Sequence, residues 1–95
     1  MTTLEKKHIT YAGISDCLHM PGTVHVRIHR LNGYFVPFIF HTAPGSAPVG
    51  QGPIAEEGAM VASMDLNALI DGLKETFGDI EIFVQNTETP AAVLH

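Results

Sequence analysis

The sequence predicts an α+β domain: a mostly antiparallel sheet of four to five strands with one α-helix packed on one face. Three observations carry this. Val24, Val26 and Ile28 alternate with His25, Arg27 and His29, reach Asn32-Gly33, and return as the aromatic and β-branched stretch 34–41. Leu66, Leu69, Ile70, Leu73 and Phe77 fall at helical spacing and form one apolar stripe. Ile80, Ile82 and Val84 then alternate again over 79–85 as a closing strand. The expected order is β-β-β-(β)-α-β.

Taken along the chain, residues 8–14 read as a first strand, and 15–22 as a connection that ends on the turn pair Pro21-Gly22. Asn32-Gly33 is the preferred pair for a two-residue type I′ hairpin turn. That turn dictates the register. Leu31 faces Tyr34, His29 faces Val36, Arg27 faces Phe38 and His25 faces Phe40 on one side of the sheet. On the other side Arg30 meets Phe35, Ile28 meets Pro37, Val26 meets Ile39 and Val24 meets His41. The second side is apolar in its middle and is assigned to the core. Pro37 falls in a non-hydrogen-bonded pair, where its missing N–H points away from the partner strand; the strand is therefore expected to be unpaired on its outer side there.

Residues 42–58 are dense in glycine and proline and read as a long flexible loop. Residues 59–62 supply the optional extra strand. The helix is expected over 63–78, with Ser63 as N-cap, Asp65 in the first turn and Gly78 just past the end. Gly72 weakens its interior by about 1 kcal/mol relative to alanine. Residues 86–95 read as a loose tail, so 1–95 is one domain.

Composition narrows the function classes. Of the 95 residues, 45% are hydrophobic and 16% charged, a balance that folds. One cysteine, Cys17, excludes an intrachain disulfide, and no apolar run follows Lys6 and Lys7; the expected location is cytoplasmic, with no membrane segment. The net charge of −5 is uneven. Residues 1–55 set Lys6, Lys7, Arg27 and Arg30 against Glu5 and Asp16. Residues 56–95 set Lys74 against eight acidic side chains. An acidic half of this kind argues against direct nucleic-acid binding, which needs basic groups to displace counterions.

No catalytic motif is present, and the expectation is a non-enzyme. Nothing around Cys17 resembles a nucleophile elbow. The segment 45–53 lacks the lysine and Ser/Thr of a phosphate-binding loop. Cys17, His19, His25 and His29 read C-x-H-x5-H-x3-H, which invites zinc. On a strand, however, His25 and His29 lie about 13 Å apart at ~3.3 Å per residue, whereas zinc ligands converge to ~2.0–2.3 Å of one ion. Cys17, His19 and His41, from different segments, are the remaining metal candidates; no cofactor is expected.

The candidate partner-binding residues are His25, Arg27, His29, Tyr34, Val36, Phe38 and Phe40 on the first side of the hairpin, with Asp71 and Glu75 on the helix. Arg, Tyr and Phe are enriched at protein interfaces. The leading expectation is a small, acidic, histidine-rich binding or regulatory protein that acts through protein–protein contacts and self-associates, as a homodimer, through the surplus apolar face and the edge near Pro37. An acidic, phage-type inhibitor of a nucleic-acid-binding machine is the alternative, and a histidine-based metal or small-ligand binder the third.

Overall fold

A computed structural model describes residues 8–88. The elements are α1 (Tyr11–Leu18), β1 (Thr23–Leu31), β2 (Tyr34–Thr42), β3 (Val49–Pro53), β4 (Ala55–Glu56), β5 (Ala59–Met60), α2 (Leu66–Phe77) and β6 (Glu81–Glu88). The main sheet has the order β3-β2-β1-β6, and β4 and β5 form a small second one. The fold is α+β and the sheet is mostly antiparallel, with one parallel pair, β1 with β6. Among the described residues, no helix is long and apolar enough to cross a membrane.

The hairpin follows the turn. Asn32 (φ 51) and Gly33 (φ 82) both lie at positive φ, as a type I′ turn requires. Every pair from Leu31–Tyr34 to Val24–His41 then sits in the register expected from it. Val26, Ile28, Pro37 and Ile39 are fully buried on the inner side. Ile14 from α1, Leu69 and Leu73 from α2, Ile54 and Ile80 join them in one core. Both helices therefore pack on the same side of the sheet. The rings of Tyr11 and Phe77 meet edge to face at 5.6 Å, which ties the two helices together.

Three expectations are corrected. The first concerns 8–22: α1 occupies Tyr11–Leu18, taking the end of the expected first strand and the start of the expected connection, and the only strand pairing of 8–14 among the described residues is a single bridge between Ile9 and Ile54. Thr10 caps α1, its side-chain oxygen accepting from Gly13 N at 3.1 Å. The Glu56 carboxylate accepts from Tyr11 N and satisfies another orphan donor. Gly13, a poor helix former, is there for space: a Cβ would lie 2.9 Å from Ile9 Cγ1.

The second correction concerns the edge at Pro37. β2 is an interior strand: β3 pairs with it antiparallel, Ile54 N donates to Pro37 O at 3.2 Å, and Phe35 and Ser63 exchange two backbone hydrogen bonds. The parity argument for Pro37 holds, since its nitrogen does face away from β1. The neighbouring segment uses only its carbonyl. The stretch 42–58, read as loop, thus contains β3, β4 and the turn into β5. The expected tail at 86–95 opens as the end of β6, and beyond residue 88 it lies outside the described residues.

The third correction is the start of the helix. The N-cap is Asp65, whose side chain accepts from Ala68 N at 3.1 Å. Ser63 is held two residues earlier by its bridge to Phe35, and its Oγ accepts from Asp65 N at 3.0 Å. The apolar stripe is as expected: Leu69 and Leu73 are buried, and Leu66, Ile70 and Phe77 pack against the core.

Candidate protein-interaction face

The outer side of the sheet is built from alternate residues of three strands. β1 contributes His25, Arg27 and His29, and β2 contributes Tyr34, Val36, Phe38 and Phe40. β6 adds Glu81 beside His25 and Phe83 beside Arg27, through its parallel register on β1. Those two were not among the expected site residues. Their alternation with Ile80, Ile82 and Val84 put them on the outer side, but no pattern in the sequence says which strand β6 pairs with.

The rings on this face lie against one another. His25 stacks on Phe40, with centroids 5.2 Å apart and planes 7° from parallel, and meets Phe83 edge to face at 5.5 Å. The Arg27 guanidinium sits 4.3 Å from the Phe40 centroid. His29 meets Phe38 edge to face at 5.1 Å. Such ring pairs and cation–π contacts contribute about 0.5–1.5 kcal/mol each. Val36, opposite His29, is buried at 3% exposure, whereas Phe83 stays 53% and Tyr34 47% exposed. An open depression of about 320 Å³ lined by Arg27, Phe83, Val84 and Gln85 continues the face to the β6 edge.

Burial and the Arg27 charge both disfavour the protonated form of His25 and His29. Arg27 Nε–H donates to His25 Nε2 at 3.1 Å, so the His25 ring carries its proton on Nδ1. Burial, and then the charge of Arg27, push the His25 pKa below its ordinary 6.5, with Glu81 pulling partly the other way. Burial and Arg27 push His29 in the same direction.

The other candidates are elsewhere. Asp71 and Glu75 are exposed on α2, in the helical layer and not on the sheet's open side. Cys17 is half-buried against the core, and burial, with Asp16 adding to it, raises its thiol pKa, which disfavours the thiolate that metals and electrophiles need. His19 Nδ1–H donates to Ser15 O at 2.8 Å, and His41 Nε2–H donates to Pro21 O at 3.1 Å. Among the described residues, no group of three or more His, Cys, Asp or Glu is placed to hold a metal ion. A second open cleft, of about 260 Å³ between Tyr11 and α2, has no charged side chain in its lining.

No protein-family model matches the chain, and neither does any curated protein or any solved structure.

Proposed function

We propose that this chain is a non-enzymatic binding protein that receives a protein partner on the open face of its sheet. The observation behind this is the cluster of Phe83, His25, Phe40 and Arg27, packed ring on ring on the side of the sheet opposite both helices. Rings already locked by neighbours lose little conformational freedom on docking, so their burial is turned into affinity with a small entropic penalty. Arg27 adds a charge-assisted donor at the centre, the kind of residue that dominates interface energetics.

The experiment compares the full-length chain with two double variants in capture of its partner. Arg27→Ala/Phe40→Ala removes the centre of the face; Asp71→Asn/Glu75→Gln neutralises the exposed acids of α2. Loss of a hot-spot pair by about 2 kcal/mol weakens binding roughly 30-fold. That loss is expected for the first variant only, measured at a temperature where circular dichroism shows both variants folded, since removing the Phe40 and Arg27 contacts also lowers Tm by several degrees. Loss confined to the second variant moves the function to the acidic helical layer, as the inhibitor reading requires.

A further inference from the structure

We infer that the chain forms a twofold-symmetric homodimer by antiparallel pairing of its β6 edge with the β6 edge of a second copy, centred on Phe83. The inference concerns the edge of the sheet and does not rest on the docking-face reading.

Of the two edges of the main sheet, only one is a good template. β3 carries Gly50, Gly52 and Pro53, and its register on β2 is broken between Ile39 and Phe40; such edges are poorly suited to adding a strand. β6 is different. It is eight residues long, has no proline or lysine, and pairs regularly with β1 from Glu81 to Val84 before the register shifts. No described strand lies on its outer side. Its exposed apolar side chains fall on both faces of the sheet, Phe83 at 53% and Val84 at 36%. Unprotected edges of this type pair with other strands through main-chain hydrogen bonds.

The second copy is indicated by the symmetry of the segment itself. Glu81-Ile82-Phe83-Val84-Gln85 reads polar, apolar, aromatic, apolar, polar in either direction. A twofold axis normal to the sheet through Phe83 sets Phe83 opposite Phe83, Ile82 opposite Val84, and Glu81 opposite Gln85. The one charge in the segment thus meets a neutral amide, and no like charges face each other across the pair. This matters in a chain of net charge −5, for which most self-contacts are repulsive. An isologous interface also needs only one self-complementary patch. The product is a continuous eight-stranded sheet with both copies of the aromatic face on one side, so the dimer is bivalent toward a docked partner.

The test is made on the full chain by sedimentation equilibrium and by cysteine cross-linking in a Cys17→Ser background. The wild type should show a concentration-dependent monomer–dimer equilibrium. Phe83→Lys, which sets two ammonium groups against each other across the axis, should be monomeric while its circular dichroism spectrum still shows the folded domain. Phe40→Ala, on the sheet face away from the edge, should dimerise as the wild type does. Directly opposed residues lie about 4.5–5.5 Å apart at Cα, inside the ~4.4–6.8 Å range of disulfides. Phe83→Cys alone should therefore form a disulfide-linked dimer with oxidised glutathione. Glu81→Cys alone and Gln85→Cys alone are each displaced by about 13 Å from their own copies at ~3.3 Å per residue and should not, whereas a mixture of the two should cross-link. A monomer at the highest attainable concentration overturns the inference. So does a dimer that survives Phe83→Lys or is lost with Phe40→Ala, or cross-linking at 81 or 85 alone that matches position 83.

Discussion

Gly22→Ala should be among the most damaging single-methyl substitutions in this chain, for reasons that can be worked from its surroundings. Gly22 immediately precedes β1 at φ +114, a conformation that L side chains rarely adopt. An added Cβ would lie 2.1 Å from Thr42 O and 3.0 Å from both Thr42 C and Ala43 Cα. All three atoms are backbone, so no rotamer change relieves the clash. The strands must separate where Thr23 pairs with Thr42, and the carbonyl of Pro21, which accepts from the buried His41, must move with them. Backbone strain of this kind costs about 1–3 kcal/mol, and forced overpacking about 1–3 kcal/mol more. The expected loss is thus about 2–6 kcal/mol from a total near 5–15 kcal/mol. At about 4–8 °C per kcal/mol for a domain of this size, Tm falls by at least about 8 °C. Thermal melts followed by circular dichroism measure it, with Gly72→Ala as the internal contrast. A Cβ at Gly72 meets nothing within 4 Å inside α2, so that substitution should raise stability by about 0.5–1 kcal/mol. If Gly22→Ala melts within a degree or two of the wild type, the close approach of 22 to 42 is not a feature of the folded protein.

Other outcomes follow from the core and from the open face. Leu73, at 3% exposure, should cost about 2–5 kcal/mol when changed to Ala, read from a urea titration with unchanged m-value; a small shift would place the α2 stripe at the surface. Because folding lowers the pKa of His25 and His29, the unfolded chain binds protons first as pH falls. Their stabilising contribution is complete above the ordinary 6.5 and is lost as pH drops through the lower folded values. Protonation also removes the His25 Nε2 lone pair that accepts from Arg27. His25→Gln/His29→Gln should flatten the stability profile between neutral and mildly acid pH, and partner binding on this face should weaken over the same interval in the wild type only. Identical profiles for the two proteins would show that neither burial nor Arg27 lowers the pKa of these rings on folding.

Where the fold was legible, a local rule and a nonlocal one agreed. At Asn32-Gly33 the turn chemistry fixes a register, and the alternation of Val24, Val26 and Ile28 independently selects the same inner side; Pro37 falls on the one parity that tolerates it. Where it was not, the deciding partner was far away in sequence. β3 is a strand because β2 offers it an edge and because Gly50 lets the Phe40 ring lie 3.3 Å from where a Cβ would be; its composition alone says loop. α1 is eight residues long and includes Gly13, too short and too weak for propensity to reveal, and it is fixed by Thr10, by Glu56 from far along the chain, and by the burial of Ile14.

The open face shows the same division. Its β1 and β2 members follow from the hairpin, so His25, Arg27, His29, Tyr34, Val36, Phe38 and Phe40 come together as the alternation requires. The apolar load on Tyr34 to Phe40 exceeds what one helix covers, which implies a second layer. The structure meets that need differently. α1 and α2 both go to the inner side, and on the outer side the side chains cover one another: His25 lies flat on Phe40, Arg27 lies over the same ring, and His29 stands against Phe38. Imidazole and guanidinium planes serve this purpose well, because each shields a ring with one face while its edge stays hydrated. That arrangement explains why Phe38 and Phe40 are half-buried with no covering element among the described residues. It also gives His25 and His29, which look like metal ligands when counted along the chain, the role of packing partners for the rings of β2.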